Sequence, residues 1–241
     1  MAVLGPFNFP GHLPNGHIVP ALLAGNTCVF KPSELAPSVA ALMVEAFEEA
    51  GLPSGCLNVV QGARETGGAL LEADINGLLF TGSGAAGRYF HQYFAGRPEI
   101  ILALEMGGNN PLIIWDAEDI EAAGDIAALS AFYTTGQRCS CARRLIVPEG
   151  DYGDAVVAAV VARARDLTIG AWDEPDVFMG PLVSEAAAEN ATRFQMNLSK
   201  AGGKSLRRLK RLERGGGFVS AGVIDMTQAR ETSDEELFGP L

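Results

Sequence analysis

The sequence predicts an α/β fold organised around a mostly parallel sheet, and three observations lead there. Short β-rich runs alternate with segments of helical period along the chain, a pattern that covers both faces of a parallel sheet with helices. An apolar run passes into a helical one through the glycine-punctuated turn Gly82-Ser83-Gly84-Ala85-Ala86-Gly87. The 241 residues are 48% hydrophobic and 20% charged, enough apolar material to bury a real core and too much for a disordered chain.

Taken in order, residues 1–6 read as a buried strand entered without a preceding element. Residues 27–31 are apolar and partly β-branched, and 38–50 follow at helical spacing with Gly51 as a stop. A second short strand is expected over 57–60, a helix over about 65–73, a strand over 77–81 and a helix over 84–94. Residues 100–105 and 111–115 are further strands, and Asp116 is placed to cap a helix running to about 133. Beyond Cys139 the pattern gives a strand at 145–147 and helices at 152–166 and about 184–201. The basic stretch 207–214 reads as a solvated face rather than a phosphate patch, given the acidic whole. There is no internal repeat and no low-complexity linker; the domain change is expected near Met106–Gly108, dividing the chain into 1–106 and 107–241. Both ends, 1–6 and 238–241, read as the interior of a fold, so a truncated chain is expected.

Charge and cysteine usage narrow the function. A net charge of -11 argues against nucleic acid as a partner, because phosphate contacts need surplus Lys and Arg. Four cysteines in a chain of this length do not make a disulfide framework, and a reducing cytoplasm suits them better. Cys139-Ser140-Cys141 has no matching cluster among His12, His17 and His91, so no metal site is expected. No apolar run reaches about 18 residues, and no positively charged region precedes the apolar start, so neither a membrane span nor a signal peptide is expected.

Four segments carry chemistry. Gly136-Gln137-Arg138-Cys139 puts a thiol on a glycine-containing loop between a helix and a strand, where it can reach a cleft. Even a small thiolate fraction is a strong nucleophile, although a loop cysteine taken alone is usually inert. Glu105 ends an apolar strand and is followed by Gly107 and Gly108; in a partly dry cleft it could serve as a general base, the alternative being a local cap or ion pair. Asn8 lies among aromatics and prolines in Gly5-Pro6-Phe7-Asn8-Phe9-Pro10. Its amide could stabilise an oxyanion, a role worth roughly 3 kcal/mol per donor, or simply close a turn. The turn from Gly82 to Gly87 offers backbone amides and a helix start to a pyrophosphate, but its spacing departs from G-x-G-x-x-G and is weak alone.

Together, in this order, the segments resemble the aldehyde dehydrogenase superfamily from the first residues to the last. The spacing of Glu105 and Cys139 is similar to that between the family's base and nucleophile, and Arg144 stands at its trailing arginine. Asn8 matches the oxyanion asparagine, and Gly82, Ser83, Gly84, Ala85, Ala86 and Gly87 match the cofactor turn. Lys31-Pro32-Ser33-Glu34 looks like the strand end that holds the adenosine ribose. In Glu235-Glu236-Leu237-Phe238-Gly239-Pro240, Glu236 matches the glutamate that binds the nicotinamide ribose and Phe238 the phenylalanine near the nicotinamide. The resemblance implies a Rossmann-type NAD-binding domain (1–106) and a second α/β catalytic domain (107–241), both incomplete against a family about twice as long, and a homo-oligomeric parent.

It also implies a mechanism. Cys139 attacks the aldehyde, Asn8 and the Cys139 N–H hold the oxyanion, hydride passes to the nicotinamide, and Glu105 activates the water that hydrolyses the thioester. Glu34 should accept hydrogen bonds from a ribose 2′-OH and so favour NAD over NADP. Cys141 is the rival nucleophile. The wording of residues 11–18, 105–110 and 137–144 resembles the succinylglutamate-semialdehyde branch of the superfamily, bacterial enzymes of arginine catabolism. For such a carboxylated aldehyde, Arg143, His12, Asn15 and His17 are candidate contacts. Alternatives are another aldehyde, a CoA-acylating relative, an inactive nucleotide-binding fragment, and a cysteine hydrolase, the last weakened because no His follows Cys139.

Overall fold

Side-chain alternation along two short strands creates two cores. In β1 (Ala2–Leu4), Ala2 and Leu4 face one way and Val3 the other; in β4 (Gly77–Gly82), Leu78 and Phe80 oppose Leu79. The first set packs with Leu71, Phe90 and Phe94 from α3 (Arg64–Glu72), α4 (Gly84–Tyr93) and the residue after α4. The second packs with Ile18 and Ala21 of α1 (His12–Leu23) and Ala40 and Val44 of α2 (Pro37–Glu49). Each fully buried leucine or phenylalanine contributes about 1.5–3 kcal/mol relative to exposure, so a one-residue slip in either strand would exchange the two faces and cost both cores.

The computed structural model describes residues 1–230 and 234–241. They form two units, Met1–Gly107 and Gly108–Leu241. In the first unit, β2 (Cys28–Lys31), β3 (Leu57–Val59) and β5 (Ile101–Met106) join β1 and β4 in one five-stranded sheet of order β3-β2-β1-β4-β5. Every pairing in it is parallel. The chain builds outward from β1 through β2 and β3, then crosses to the other side of β1 to lay down β4 and β5. This is the Rossmann-type order, and its reversal lies between β1 and β4, where ligands of such sheets collect beyond the carboxyl ends of the strands.

The second unit holds β6 (Asn110–Ile113) parallel to β7 (Ala142–Ile146), the helices α5 (Ile120–Phe132), α6 (Asp151–Asp166) and α7 (Glu185–Lys200), and an antiparallel pair, β8 (Lys204–Arg207) and β9 (Val223–Asp225). Its buried residues include Ala128, Phe132, Ala164 and Met179 in one group, and Leu182, Ala188, Leu209 and Val219 in another. The expected mostly parallel α/β architecture is therefore what the chain adopts, with β8–β9 the exception.

Several boundaries differ from expectation for physical reasons. α5 is capped by Asp119, whose carboxylate accepts the Ala122 N–H at 3.0 Å, and not by Asp116. β7 begins at Ala142 rather than 145, because pairing with β6 reaches back to the Asn110–Ala142 register. α1 was not foreseen: Pro14 and Pro20 lie within it, and its apolar residues do not gather on one face. Within the basic stretch, Leu209 is 1% exposed, while Arg208, Lys210, Arg211 and Arg214 are exposed as a solvated face would be. Arg211 pairs with Glu185 and Glu189, and Arg214 takes Glu174 through both terminal nitrogens. Among the described residues no helix is long and apolar enough to cross a membrane.

Candidate active site

The first unit gathers its candidate residues along the carboxyl edge of the parallel sheet. Asn8 lies in the β1–α1 connection, and Lys31 ends β2. Lys31 is buried, with Nζ donating to the Pro32 carbonyl at 2.7 Å and lying 3.5 Å from Glu34 Oε2. The Glu34 side chain is 54% exposed.

The turn after β4 is tightly made. Gly82 closes the strand, Ser83 caps α4 by accepting the Ala86 N–H at 3.2 Å, and the first turn of α4 carries no acidic side chain. The helix's own first turn thus brings no carboxylate to its positive end. Gly87 faces the Met106 side chain, which would have to shift to admit a Cβ there.

Glu105 is on β5, paired in register with Thr81. Thr81 Oγ1 is 3.0 Å from Nε2 of His17, which projects from α1. Burial pushes the His17 imidazole below its ordinary value, and the nearby Glu105 carboxylate opposes that shift. Glu105 itself is exposed, so the partly dry surroundings expected for it are not found. The strand end that carries it lies at the rim of the sheet, where β5 has a neighbour on one side only.

The second unit presents the thiol. α5 ends at Phe132, and Thr134, Thr135 and Gly136 then take left-handed conformations (φ 56°, 58° and 67°). Two consecutive β-branched residues there are strained, at about 1–3 kcal/mol each. They are held in place: Thr135 Oγ1 donates to the Gly180 carbonyl at 2.8 Å, and Thr134 Oγ1 accepts from Arg138 Nε at 2.9 Å. Gln137, 7% exposed, accepts the Val183 N–H on Oε1 at 2.9 Å. The turn then exposes Cys139 and returns Cys141 to the interior at 2% exposure, with its Sγ 3.7 Å from the Tyr133 carbonyl.

Two residues that sequence reasoning did not assign to this role fix the turn. Asn110 Nδ2 donates to the carbonyls of both Cys139 (2.6 Å) and Cys141 (3.0 Å). Arg143, offered above as a carboxylate contact, is instead turned inward with its side chain only 3% exposed. Its Nη2 donates to the Gly136 carbonyl at 2.6 Å and the Arg138 carbonyl at 3.0 Å and lies 3.4 Å from Glu236 Oε1. Arg144, by contrast, is half-exposed and pairs with Asp234. Burial raises the Glu236 carboxyl above the usual range, against the opposing pull of Arg143 and of the Gly108 backbone. Phe238 lies beside the same guanidinium, 5.7 Å from ring centroid to Cζ. A polar residue opening β6 was the only sequence signal for Asn110, and an arginine pair after the cysteines the only one for Arg143.

One unit thus holds a Rossmann-type sheet bearing a capped glycine turn, and the other holds an exposed thiol on a braced turn. The aldehyde dehydrogenase family model matches residues 1–241, and the chain belongs to that family. Among curated relatives, the N-succinylglutamate 5-semialdehyde dehydrogenase 2 of Caulobacter vibrioides is 59% identical over the whole chain and 50% of its own length. The N-succinylglutamate 5-semialdehyde dehydrogenase of Serratia proteamaculans is 56% identical, again over 100% of this chain and 50% of its own. The chain therefore spans about half the length of the curated relatives it matches. Among solved structures, the gamma-glutamyl-gamma-aminobutyraldehyde dehydrogenase of Burkholderia cenocepacia J2315 superposes with a TM-score of 0.90 at 35% identity, covering 99% of this chain and 49% of that one. A Sinorhizobium meliloti 1021 structure complexed with NAD, described as a methylmalonate-semialdehyde dehydrogenase, gives 0.91 at 28% identity over 99% and 50%.

Proposed function

We propose that the protein to which this chain belongs oxidises N-succinyl-L-glutamate 5-semialdehyde to N-succinyl-L-glutamate with NAD, through a thiohemiacetal and a thioester on Cys139. The observation that carries the reading is the contrast between two neighbouring thiols, Cys139 exposed on a braced turn and Cys141 buried 2% exposed behind it. The substrate assignment rests on curated relatives at 56–59% identity that carry that activity in their names.

In this reading the Cys139 thiolate adds to the aldehyde carbon, and the resulting oxyanion is drawn by the Asn8 amide and the Cys139 N–H. Glu105 later takes a proton from the water that hydrolyses the Cys139 thioester, releasing the acid and restoring the thiol. Bound nicotinamide supplies the hydride acceptor that the oxidation requires. The residues suit a dinucleotide. Gly82, Ser83, Gly84, Ala85, Ala86 and Gly87 form a capped helix start with no acid in its first turn; Lys31 and Glu34 stand at the end of a neighbouring strand for the adenosine ribose, and Glu236 and Phe238 serve the nicotinamide end. An exposed Glu34 favours a free 2′-OH over a 2′-phosphate by simple charge repulsion. Four free cysteines fit a reducing, cytoplasmic setting.

The test is an assay of the full-length protein with the semialdehyde, NAD or NADP, with and without CoA. CoA-independent formation of NADH and acid supports the reading, and Cys139→Ala should abolish it. Glu105→Gln should give a burst of NADH and then stall; unchanged steady-state turnover would remove Glu105 as the base.

A further inference from the structure

Arg143 is an expensive residue to bury. Its guanidinium carries a permanent charge and five N–H donors in a rigid fork, and enclosing it is tolerable only when several acceptors converge on it. Here the fork meets four. On one side are the carbonyls of Gly136 and Arg138, which bracket Gln137 immediately before the thiol. On the other are the Glu236 carboxylate at 3.4 Å and the Gly239 carbonyl at 3.5 Å, with the Phe238 ring alongside. Glu236 and Gly239 lie 93 and 96 positions beyond Arg143 in the chain, so nothing local draws them to it. The Nε of Arg143 is buried with no acceptor among the described residues. The side chain is therefore not satisfied donor by donor; its position serves the terminal nitrogens.

We infer that Arg143 is a positioning residue that fixes, through one guanidinium, both the backbone of the Cys139 turn and the carboxylate of Glu236. The inference rests on the reading of Cys139 as nucleophile and Glu236 as a nucleotide contact, and it makes the placing of the thiol and the placing of the nucleotide interdependent. A neutral or wandering Glu236 would accept ribose hydroxyl hydrogens less well, and burial already works against its ionised form. Lysine could replace the charge but not the fork, because a single ammonium cannot hold two carbonyls and a carboxylate in one plane.

The experiment is a double-mutant cycle in the full chain. Arg143→Met, Arg143→Lys, Glu236→Gln and the Arg143→Met/Glu236→Gln pair are compared by NAD titration and by the rate of Cys139 alkylation, read by mass spectrometry. Arg143→Met should weaken NAD binding about tenfold, the loss expected for one charge-assisted contact, and should change the alkylation rate of Cys139. Arg143→Lys should recover much of the NAD affinity while leaving the alkylation rate altered. Glu236→Gln should add little to the NAD loss already caused by Arg143→Met. Additive losses, or native alkylation and NAD binding in either Arg143 variant, would overturn the inference. If Arg143→Met does not fold, the lysine variant alone decides it through the split between the two readouts. Failure of the unaltered chain to bind NAD would instead defeat the nicotinamide reading, and the alkylation rates would then judge whether Arg143 fixes the turn.

Discussion

Asn110 holds the Cys139 carbonyl at 2.6 Å and the Cys141 carbonyl at 3.0 Å with a single amide nitrogen. The first residue of β6 thereby sets the path of the turn on which the exposed thiol sits, and it does so from a strand already paired with β7 on the far side of that turn. Asn110→Ala should cost about 1 kcal/mol, the usual net worth of such a bond, and should loosen the turn. Thermal unfolding measures the first effect and hydrogen exchange at 139–141 the second. Unaltered exchange there would mean that the turn is fixed without Asn110.

The two thiols of the turn should react very differently. Cys141 is 2% exposed and Cys139 is open to solvent, so iodoacetamide should modify Cys139 at least about tenfold faster, since alkylation follows access to the thiolate. Tandem mass spectrometry of the shared peptide distinguishes them. Equal rates would contradict the packing of Cys141.

Gly136 cannot carry a side chain. Its φ is +67°, and a Cβ would run into the Gly239 carbonyl, a backbone atom with no freedom to move aside. Gly136→Ala should destabilise the chain by about 2 kcal/mol or more, lowering the midpoint of denaturant unfolding. A midpoint equal to that of the unaltered chain would show that the left-handed turn is not maintained in solution.

His17 gives the stability a pH dependence with a definite sign. Burial lowers its folded-state value below the ordinary 6.5, so the unfolded chain binds the proton more readily. Its contribution is therefore present above about pH 6.5 and is lost as pH falls toward the depressed folded value. His17→Gln, which keeps a partner for Thr81, should flatten the fall in stability over that window. Urea titrations at several pH values between 7 and 5 provide the comparison, and parallel curves for the two proteins would count against the assignment.

Glu34 should set the choice of nucleotide. Removing its charge with Glu34→Gln should narrow the preference for NAD over NADP about tenfold, the scale of one unfavourable phosphate–carboxylate contact. Ratios of kcat/KM for the two nucleotides in the full-length protein test this; an unmoved ratio would place the discrimination elsewhere.

How much of this was legible before the structure depends on the kind of signal. Gly77–Gly82 and Cys28–Lys31 announced themselves as strands because both of their faces are buried, which writes a continuous apolar run into the sequence. The helix His12–Leu23 did not, since its prolines and scattered apolar residues argue against the element they occupy. The β8–β9 pair was invisible for another reason: Lys204–Arg207 and Val223–Asp225 are partly exposed and only four and three residues long, too short for a period to show. At the candidate site, Cys139 could be picked out by its place after Gly136 and Gln137. The preference for it over Cys141 has a physical counterpart only in the burial of the latter. The tie from Arg143 to Glu236 joins residues so far apart in the chain that only a folded backbone can bring them within 3.4 Å.

The left-handed run at Thr134, Thr135 and Gly136 bears on what kind of backbone surrounds the thiol. Had those residues kept right-handed geometry, α5 could have run on through Cys139, and the cysteine's amide would have been spent on the carbonyl four residues back, at Thr135. Breaking the rod at Phe132 takes that amide out of any helical ladder and aims it by the course of a turn instead. A hydrogen on nitrogen that a regular helix would have consumed internally is thereby left outside it, as the proposed oxyanion contact requires.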